Sequence, residues 1–409
     1  MDDTLRIAML TYRGQPHSGG QGVYVRNLSG ALTRLGHHVE VLSGPVYPDL
    51  VPGVGLVRLP SLDLYNTDRP FRPQRPLRSV IDAAEYAVMC AGVYPEPLTF
   101  SLRAWRWLAR SRWRFDVVHD NQCLGWGLLP IARRLPAVAT IHHAITVDMY
   151  IQLSQIPDPK ARAGMARWFR FVEMQKRVAR RLPRVVTVSE ASRDDIVRDF
   201  GIPSDRFTLV PNGVDQETFA PRPDVSKVPG RIMAVVSADL PLKGLRFLIE
   251  AVAKLRTERE AELVVVSRPH PDTVAAVSRL DLEPWVRFES SVTTDRLVEL
   301  YNEAEVVVVA SVYEGFSLPA VEAMACGVPL VTTTGGALPE VTGPDGEAAL
   351  HVPPGSPDAI AAAIARLLDD PDLRARLARG GRARVLDRYT WEEAASQTVD
   401  VYREVMASR

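Results

Sequence analysis

The fold is decided by the stretch EVVVVASVYEGFSLPAVEAMACGVPLVTT, residues 305–333. Its first run, 305–310, and its last, 329–333, are nearly all apolar and rich in valine and threonine, which is typical of strands buried on both faces. The segment between them, 318–326, is helical in composition and is followed by Gly327, a residue that commonly ends a helix. The stretch therefore predicts two strands of a parallel sheet that are joined by a helix.

The same alternation of strands and helices continues through most of the chain. Further strands are predicted at 5–10, 38–42, 116–119, 137–143, 184–189, 231–237, 262–267 and 285–289. Helices are predicted at 21–35, 161–182, 244–257, 295–303 and 357–368. We therefore predict an α/β protein with two doubly wound, Rossmann-like domains of parallel sheet.

The domain boundary is predicted from composition. Residues 210–230 are rich in proline, glycine and polar side chains and separate the two series of strands. This division gives an N-terminal domain at 1–210, a C-terminal domain at 211–388 and a terminal helical segment at 389–409. Residues 45–76 contain seven prolines and are predicted to form long loops.

Composition excludes several classes of protein. The formal net charge is zero, which argues against a nucleic-acid partner. Three scattered cysteines without C-x-x-C spacing fit a reducing cytoplasm better than a disulfide framework or a thiolate zinc site. We expect no secretory signal and no membrane span, because no apolar run approaches ~18 residues. The arginine-rich segment 162–184 is either a packed helix with a solvated face or a surface for an anionic acceptor or peripheral membrane contact.

A glycine-rich turn follows the first strand. Gly19, Gly20 and Gly22 lie in HSGGQGVYVRNL, residues 17–28, at the start of a predicted helix. Glycines at a helix N-terminus let backbone amides approach a phosphate, although such a turn is often only a tight connection. The spacing is not G-x-G-x-x-G and no acidic residue ends the second strand, which argues against NAD.

Lys243 is the second candidate. It lies in SADLPLKGLRFLIEA, residues 237–251, after the first strand of the C-terminal domain, where open α/β sheets bind ligands. A helix start is the unfavourable end for a surface cation. Only five of the 49 basic residues are lysines. Both facts favour the interpretation that Lys243 binds a diphosphate with its compact charge over the interpretation that it is a solvated surface residue.

Glu314 and Glu322 form the third candidate. They lie eight residues apart, one in the loop after strand 305–310 and one on the helix that follows. Ser317 is expected to cap this helix. Paired carboxylates suit sugar chemistry because each accepts hydroxyl hydrogen bonds, whereas either acid alone is more often solvated.

A histidine pair is the fourth candidate. His142 and His143 end a strand in TIHHAIT, residues 140–146, where an imidazole can polarise a substrate hydroxyl or serve only as a structural residue.

No metal site is expected. The one D-x-D match, Asp370 to Asp372, reads as a surface turn and helix cap, and we expect neither metal nor cofactor.

Together these motifs resemble the large retaining family 4 of glycosyltransferases, which adopt the GT-B fold. The resemblance covers nearly the whole chain, and the most specific part is the E-x7-E motif with its frame. It is carried by SGGQGVYVRNL (18–28), TIHH (140–143), VVTVSE (185–190), VPNGVD (210–215), LKGLRFLIEA (242–251), EGFSLPAVEAMACGVPLV (314–331), GGALPEV (335–341) and YTWEEAASQTVDVYREV (389–405).

The resemblance implies a role for each matching residue. Glu314 would lie at the transferred sugar and His142 near the sugar and the acceptor, as the catalytic pair, and the C-terminal helix would cross back onto the first domain. The implied donor-binding residues are Gly19 and Gly20 in the phosphate loop, Lys243 at the diphosphate, Glu322 at the ribose, Phe316, Ser317 and Leu318 through their amides, and Ser291 and Val292 near the base.

The chain departs from the family pattern at two places. The family often has Gly-Arg five residues before its lysine, where this chain has Ser237 and Ala238. Ser237 keeps a donor-binding position, and Arg268 is a candidate for the missing positive charge. These changes bear on the identity of the donor and not on the class of reaction.

The sequence therefore predicts a metal-independent, retaining transfer of a sugar from a nucleoside diphosphate to a small molecule, lipid or glycan. The nucleotide sugar is a substrate, and no further cofactor is expected. The alternatives are a catalytically silent nucleotide-sugar-binding protein and another GT-B enzyme, such as a sugar-nucleotide epimerase.

Overall fold

The computed structural model describes residues 4–14, 20–66, 70–111, 114–236 and 241–409. The chain divides into two compact units. The N-terminal unit comprises the described parts of residues 1–188 together with 192–210 and 394–409, and the C-terminal unit comprises 189–191 and the described parts of 211–393. Residues 394–409, which end the chain, thus group with the N-terminal unit.

Each unit is built on one parallel sheet, as the apolar strands predicted. In the described residues of the N-terminal unit the strand order is β3-β2-β1-β4-β5-β6-β7, and in the C-terminal unit it is β10-β9-β8-β11-β12-β13. The strands are β1 Arg6–Thr11, β2 His38–Ser43, β3 Gly55–Arg58, β4 Val117–Asn121, β5 Ala137–Thr140, β6 Val185–Thr187, β7 Phe207–Leu209, β8 Arg231–Val235, β9 Glu262–Val266, β10 Val286–Glu289, β11 Val306–Val309, β12 Leu330–Thr333 and β13 Ala349–Val352.

Helices connect the strands and cover the sheets. They are α1 Gly20–Arg34, α2 Val80–Cys90, α3 Glu96–Arg110, α4 Leu128–Ala132, α5 Ile145–Ser154, α6 Pro159–Trp168, α7 Phe171–Ala179, α8 Glu190–Phe200, α9 Leu245–Arg256, α10 Pro271–Arg279, α11 Thr294–Glu303, α12 Leu318–Ala325, α13 Leu338–Thr342, α14 Pro357–Asp369, α15 Pro371–Arg388 and α16 Trp391–Ala407. Single 3-10 turns occupy Ser204–Arg206 and Pro241–Lys243.

Three short strands were missed by the sequence patterns. Strand β3 lies inside the segment 45–76, so the prediction that this whole segment forms loops was wrong. Strands β3 and β7 lie at the two edges of their sheet and are only half-buried, which removes the apolar run that marks a central strand. Strand β13 is an edge strand of the other sheet, and His351 interrupts its apolar residues.

The structure divides one predicted helix in two and supports the predicted cap of another helix. The single helix predicted at 161–182 is two helices, α6 and α7, separated at residues 169–170. The predicted turn at Asp370 is confirmed: its carboxylate accepts a hydrogen bond from the Leu373 amide and caps α15.

Both cores lie against the sheets, in the layer between strands and helices. In the N-terminal unit Leu10 and Val118 are fully buried with Phe200 of α8. In the C-terminal unit Val308 and Leu248 are buried in the same way. Rigid central strands of this kind fix the positions at which the following loops begin.

Candidate active site

The C-terminal sheet brings Lys243 and Glu314 to one edge. Strands β8 and β11 are parallel neighbours, so their carboxyl ends lie side by side. Lys243 ends the 3-10 turn that comes after β8, and Glu314 lies in the loop after β11. Residues far apart in the sequence therefore meet where open α/β sheets bind ligands.

Lys243 and Glu314 form an ion pair. The Lys243 ammonium lies 2.9 Å from Glu314 Oε1 and 3.0 Å from Oε2. The Ser311 hydroxyl donates a 2.6 Å hydrogen bond to the same Oε1. The lysine and glutamate side chains keep 23% and 11% of their surface exposed, so neither is completely buried.

Glycines allow the loops around this pair to pack closely. Gly244 has a φ of 65°, and a Cβ there would lie 2.0 Å from the Ala310 carbonyl oxygen. Gly336 has a φ of 62°, and its Cβ would lie 2.2 Å from the Glu314 carbonyl oxygen. That same oxygen accepts a 2.8 Å hydrogen bond from the Ala337 amide. Only glycine fits at these two positions, which hold Lys243 and Glu314 in place.

Glu322 lies on α12 and is hydrogen-bonded to a tyrosine that the sequence analysis missed. The Tyr301 hydroxyl of α11 donates to Glu322 Oε2 at 2.9 Å. Burial raises the pKa of Glu322 to about 7, and the Tyr301 hydrogen bond opposes this rise. Tyr301 is fully buried in an apolar helix face, where its sequence signal is that of a core residue. A carboxylate held in this way can accept hydrogen bonds from a diol.

Ser317 does not cap α12, and the prediction that it would do so was wrong. It occupies the N-cap position, but its φ of 88° turns the side chain away from the helix amides and no capping hydrogen bond forms. Within the described residues its Oγ is buried without a hydrogen-bond partner. A buried hydroxyl of this kind is available to a ligand oxygen. Phe316 is buried edge-on against Tyr389, with 5.6 Å between ring centroids, and Leu318 begins α12.

The remaining donor-binding candidates of this unit lie in neighbouring loops. Arg268 is exposed in the loop after β9. Ser291, with a φ of 57°, is exposed in the loop after β10, and Val292 beside it is half-buried. No hydrogen bond to the Lys243–Glu314 pair is among the contacts of these three. Ser237 lies outside the described residues.

In the N-terminal unit, His142 follows β5 and is held in one orientation. Its Nε2 lies 2.7 Å from Asn121 Oδ1, and its backbone amide donates to Gln122 Oε1 at 2.7 Å. The Tyr24 ring stands edge-on to the imidazole, with 4.6 Å between centroids. Burial is the main cause that lowers the pKa of His142 to about 3, so the ring is neutral at ordinary pH. His143 instead pairs with Asp148 at 2.8 Å.

A buried polar network stands behind His142. His119 on β4 lies 2.7 Å from the Thr140 hydroxyl and 2.6 Å from the Tyr402 hydroxyl of α16. Tyr24 contacts the same Thr140 at 2.8 Å. The network ties the terminal helix to β4, β5 and α1. Gly20 begins α1 and is exposed, while Gly19 lies outside the described residues.

Two searches of the described residues give negative results. No group of three or more histidine, cysteine, aspartate or glutamate side chains is placed to hold a metal ion in the part of the chain that the structure describes. Among the described helices, none is long and apolar enough to cross a membrane.

Two family profiles match the chain. The profile described as Glycosyltransferase Family 4 matches residues 18–218, and the one described as glycosyl transferases group 1 matches residues 230–370. The fold resembles a sucrose-phosphate synthase of Thermosynechococcus elongatus, with a TM-score of 0.76, 24% identity, and coverage of 99% of this chain and 100% of the other. It also resembles Anabaena HepE in complex with UDP-glucose, with a TM-score of 0.71, 18% identity, and coverage of 99% and 100%.

Curated relatives are similar along their whole length. An "MMP alpha-(1->4)-mannosyltransferase" of Mycolicibacterium hassiacum is 48% identical over 98% of this chain and 99% of its own. A "D-inositol 3-phosphate glycosyltransferase" of Xylanimonas cellulosilytica is 30% identical over 99% of this chain and 98% of its own. With these relatives, the two profiles and the GT-B fold, the chain belongs to glycosyltransferase family 4 and is a glycosyltransferase.

Proposed function

We propose that this glycosyltransferase moves a hexose from a nucleoside diphosphate to an acceptor hydroxyl, with retention of anomeric configuration and without a metal ion. The observation that carries the proposal is the contact of Lys243 with Glu314 at the carboxyl edge of β8 and β11. One cation and one carboxylate at that edge match the two halves of a nucleotide sugar, its anionic diphosphate and its hydroxyl-rich ring.

The charge of the diphosphate would be met by the protein itself. Lys243 supplies a positive charge that can exchange its carboxylate partner for phosphate oxygens. The first amides of α12, at Leu318, and the Ser317 Oγ supply further donors. Donors that are already oriented stabilise the leaving diphosphate without reorganisation during the reaction.

Each of the two glutamates would bind a different part of the donor, Glu322 the ribose and Glu314 the transferred sugar. Glu322, held by Tyr301, binds the ribose hydroxyls, which take no part in the reaction. Glu314 lies at the transferred ring, where positive charge develops as the bond to the phosphate breaks. Its partners Lys243 and Ser311 hold its carboxylate in place.

The acceptor hydroxyl would be oriented by His142. The imidazole is neutral, and its Nε2 is engaged by Asn121, which fixes the plane of the ring. In the same-face displacement that we propose, the anomeric carbon loses its phosphate oxygen and gains the acceptor oxygen on one face. The acceptor proton passes to the departing phosphate oxygen, so no separate protein base is needed.

The transferred sugar is proposed to be mannose in an α linkage, because the relative at 48% identity is named an α-(1→4)-mannosyltransferase. A nucleoside diphosphate sugar as donor is supported by HepE, a protein of the same fold crystallised with UDP-glucose. The compartment is proposed to be the cytoplasm, because the free thiols Cys90, Cys123 and Cys326 suit a reducing environment.

The test is release of nucleoside diphosphate from a panel of UDP-, GDP-, ADP- and dTDP-sugars, with and without EDTA. We expect one donor to be consumed at the same rate in both conditions. Lys243→Ala should abolish most of the release, whereas Lys254→Ala, which removes an exposed surface lysine paired with Asp358, should not. Donor binding without any release would instead indicate a catalytically silent binding protein, and conversion to an isomeric nucleotide sugar would indicate an epimerase.

A further inference from the structure

An aromatic cluster lies at the carboxyl end of β1, next to the His142 site in the same unit. Tyr65, Tyr94 and Trp168 form its centre, with ring centroids 5.3–5.9 Å apart. Tyr12 stands edge-on to Tyr94 at 6.4 Å. Tyr65 keeps 50% of its surface exposed, so one side of the cluster faces solvent.

Charged groups border these rings. Arg13 Nε and Nη2 donate to the Glu96 carboxylate at 2.6 and 2.9 Å, and the guanidinium lies 5.2 Å from the centre of the Tyr65 ring. The Tyr94 hydroxyl donates to Glu96 at 2.6 Å. Both Glu96 oxygens therefore accept hydrogen bonds, which fix the Arg13 and Tyr94 side chains.

Asp63 differs from Glu96, because one of its oxygens has no donor. Its Oδ1 lies 3.6 Å from Arg13 Nη2, beyond hydrogen-bond distance. This oxygen is buried, and in the described part of the chain it accepts no hydrogen bond. Asp63 also has a φ of 47°, a conformation that aspartate and asparagine adopt more readily than most residues. A buried carboxylate oxygen in this state suits an arriving hydroxyl group.

Gln21 and Asn121 connect the cluster to His142. The Gln21 side chain lies near the Tyr12 hydroxyl, and the Gln21 carbonyl accepts a 3.4 Å hydrogen bond from Asn121 Nδ2. Asn121 in turn holds His142. The rings and the imidazole therefore belong to one continuous edge of the N-terminal sheet.

We propose that the aromatic cluster of Tyr12, Tyr65, Tyr94 and Trp168, with Arg13 and Asp63, binds a ring of a neutral saccharide acceptor. This inference rests on the proposed function and names its acceptor class. A pyranose has an apolar face of C–H groups that stacks on aromatic rings and a rim of hydroxyls that needs carboxylate and guanidinium partners.

The charge around the aromatic cluster favours a neutral saccharide over an anionic acceptor. The charged side chains in contact with the rings and with one another are Arg13, Asp63 and Glu96, which sum to one negative charge. A phosphorylated acceptor would be repelled by this set. An uncharged sugar hydroxyl would instead donate to Asp63 Oδ1.

The experiment measures binding of an α-(1→4)-linked mannotetraose by calorimetry without donor, and its KM in the transfer assay. Tyr65→Ala should weaken binding and raise KM about tenfold, which corresponds to about 1.4 kcal/mol, while kcat changes little. Tyr65→Phe keeps the ring and should bind nearly as the parent does. Asp63→Asn, which tolerates the same backbone conformation, should also raise KM. The matched control is Tyr86→Ala, a tyrosine on α2 that is 41% exposed and lies outside the cluster.

Several outcomes would overturn the inference. They are unchanged saccharide affinity in Tyr65→Ala, equal losses in Tyr86→Ala, no binding of the tetrasaccharide by the parent protein, and tighter donor-free binding of inositol phosphate than of the tetrasaccharide. Because binding is measured without donor, these outcomes stay distinct from a failure of the proposed function. That failure would appear as no release of nucleoside diphosphate from any donor, with saccharide binding intact.

Discussion

Lys243 and Glu314 should have opposite effects on the affinity for nucleoside diphosphate. The ammonium contacts both carboxylate oxygens, at 2.9 and 3.0 Å. Diphosphate binding must then compete with Glu314 for the same cation. Lys243→Ala removes the cation and leaves the carboxylate facing the diphosphate, whereas Glu314→Gln removes the competing charge and keeps the shape of the side chain.

The two magnitudes follow from the two kinds of contact. A hydrogen bond to a charged group contributes about 1.5–3 kcal/mol, so Lys243→Ala should weaken binding about 10- to 150-fold. The ion pair is partly exposed, and pairs of this kind contribute about 0.5–1 kcal/mol, so Glu314→Gln should tighten binding about two- to fivefold. The same Glu314→Gln variant should lower kcat about 100-fold, because its carboxylate acts where charge develops.

The assay is calorimetric titration of each folded variant with the nucleoside diphosphate of the active donor, with Lys254→Ala as the surface-lysine control. Unchanged affinity in Lys243→Ala would show that the ammonium is not a diphosphate ligand. A loss of affinity in Glu314→Gln as large as that in Lys243→Ala would refute the competition between carboxylate and diphosphate.

Further predictions concern three other residues of the site, Glu322, His142 and Gly244. Glu322→Gln should raise the donor KM more than it lowers kcat, because the ribose contact is the same in the ground state and the transition state. Affinity for the nucleotide sugar should fall as the pH drops through about 7, because Glu322 gains a proton there and the diphosphate of a nucleotide sugar does not titrate near neutrality. Glu322→Gln should remove this pH dependence. The prediction would be contradicted if the affinity of the parent protein did not change between pH 5.5 and 8.5. His142→Ala should lower kcat without weakening nucleoside diphosphate binding. In the parent protein, a plot of kcat against pH should show no titration of this imidazole near pH 6.5, since its pKa lies at about 3. Gly244→Ala should weaken nucleoside diphosphate binding and lower the melting temperature, because its Cβ would lie 2.0 Å from the Ala310 oxygen; a variant as stable and as tight-binding as the parent would refute this.

The sequence carried enough information to predict the central strands and the edge strand β10, but not the other three edge strands. Central strands such as β11 are buried on both faces and appear as continuous apolar runs. Strands β3 and β7 are half-buried edge strands, so their composition resembles that of a loop. Pairing with a neighbouring strand defines them, and such pairing leaves little trace in a single sequence.

The principal site residues were predictable because parallel sheets bring strand ends to one edge. Lys243 and Glu314 follow adjacent strands, and their types suit a diphosphate and a sugar. Tyr301 was not predictable, since its hydroxyl meets Glu322 only after α11 packs against α12. The cap expected at Ser317 failed because the backbone there adopts a φ of 88°, which a sequence pattern for N-caps does not foresee.

The proposed saccharide site could not have been found from local patterns at all. Arg13, Asp63, Glu96 and Trp168 come from four separate loops and helices, and no spacing between them repeats. Their association depends on how the long connections of the N-terminal unit fold over the end of β1.

The most direct test of the central claim is the anomeric configuration of the product formed in the presence of EDTA. The parent protein would be incubated with the active α-configured nucleotide sugar and mannotetraose, and the new anomeric signal followed by proton NMR from the first turnover. Retaining, metal-independent transfer predicts an α-linked product at full rate in EDTA, with one nucleoside diphosphate released per bond formed. A β-linked product, or transfer that begins only when magnesium or manganese is added, would contradict it.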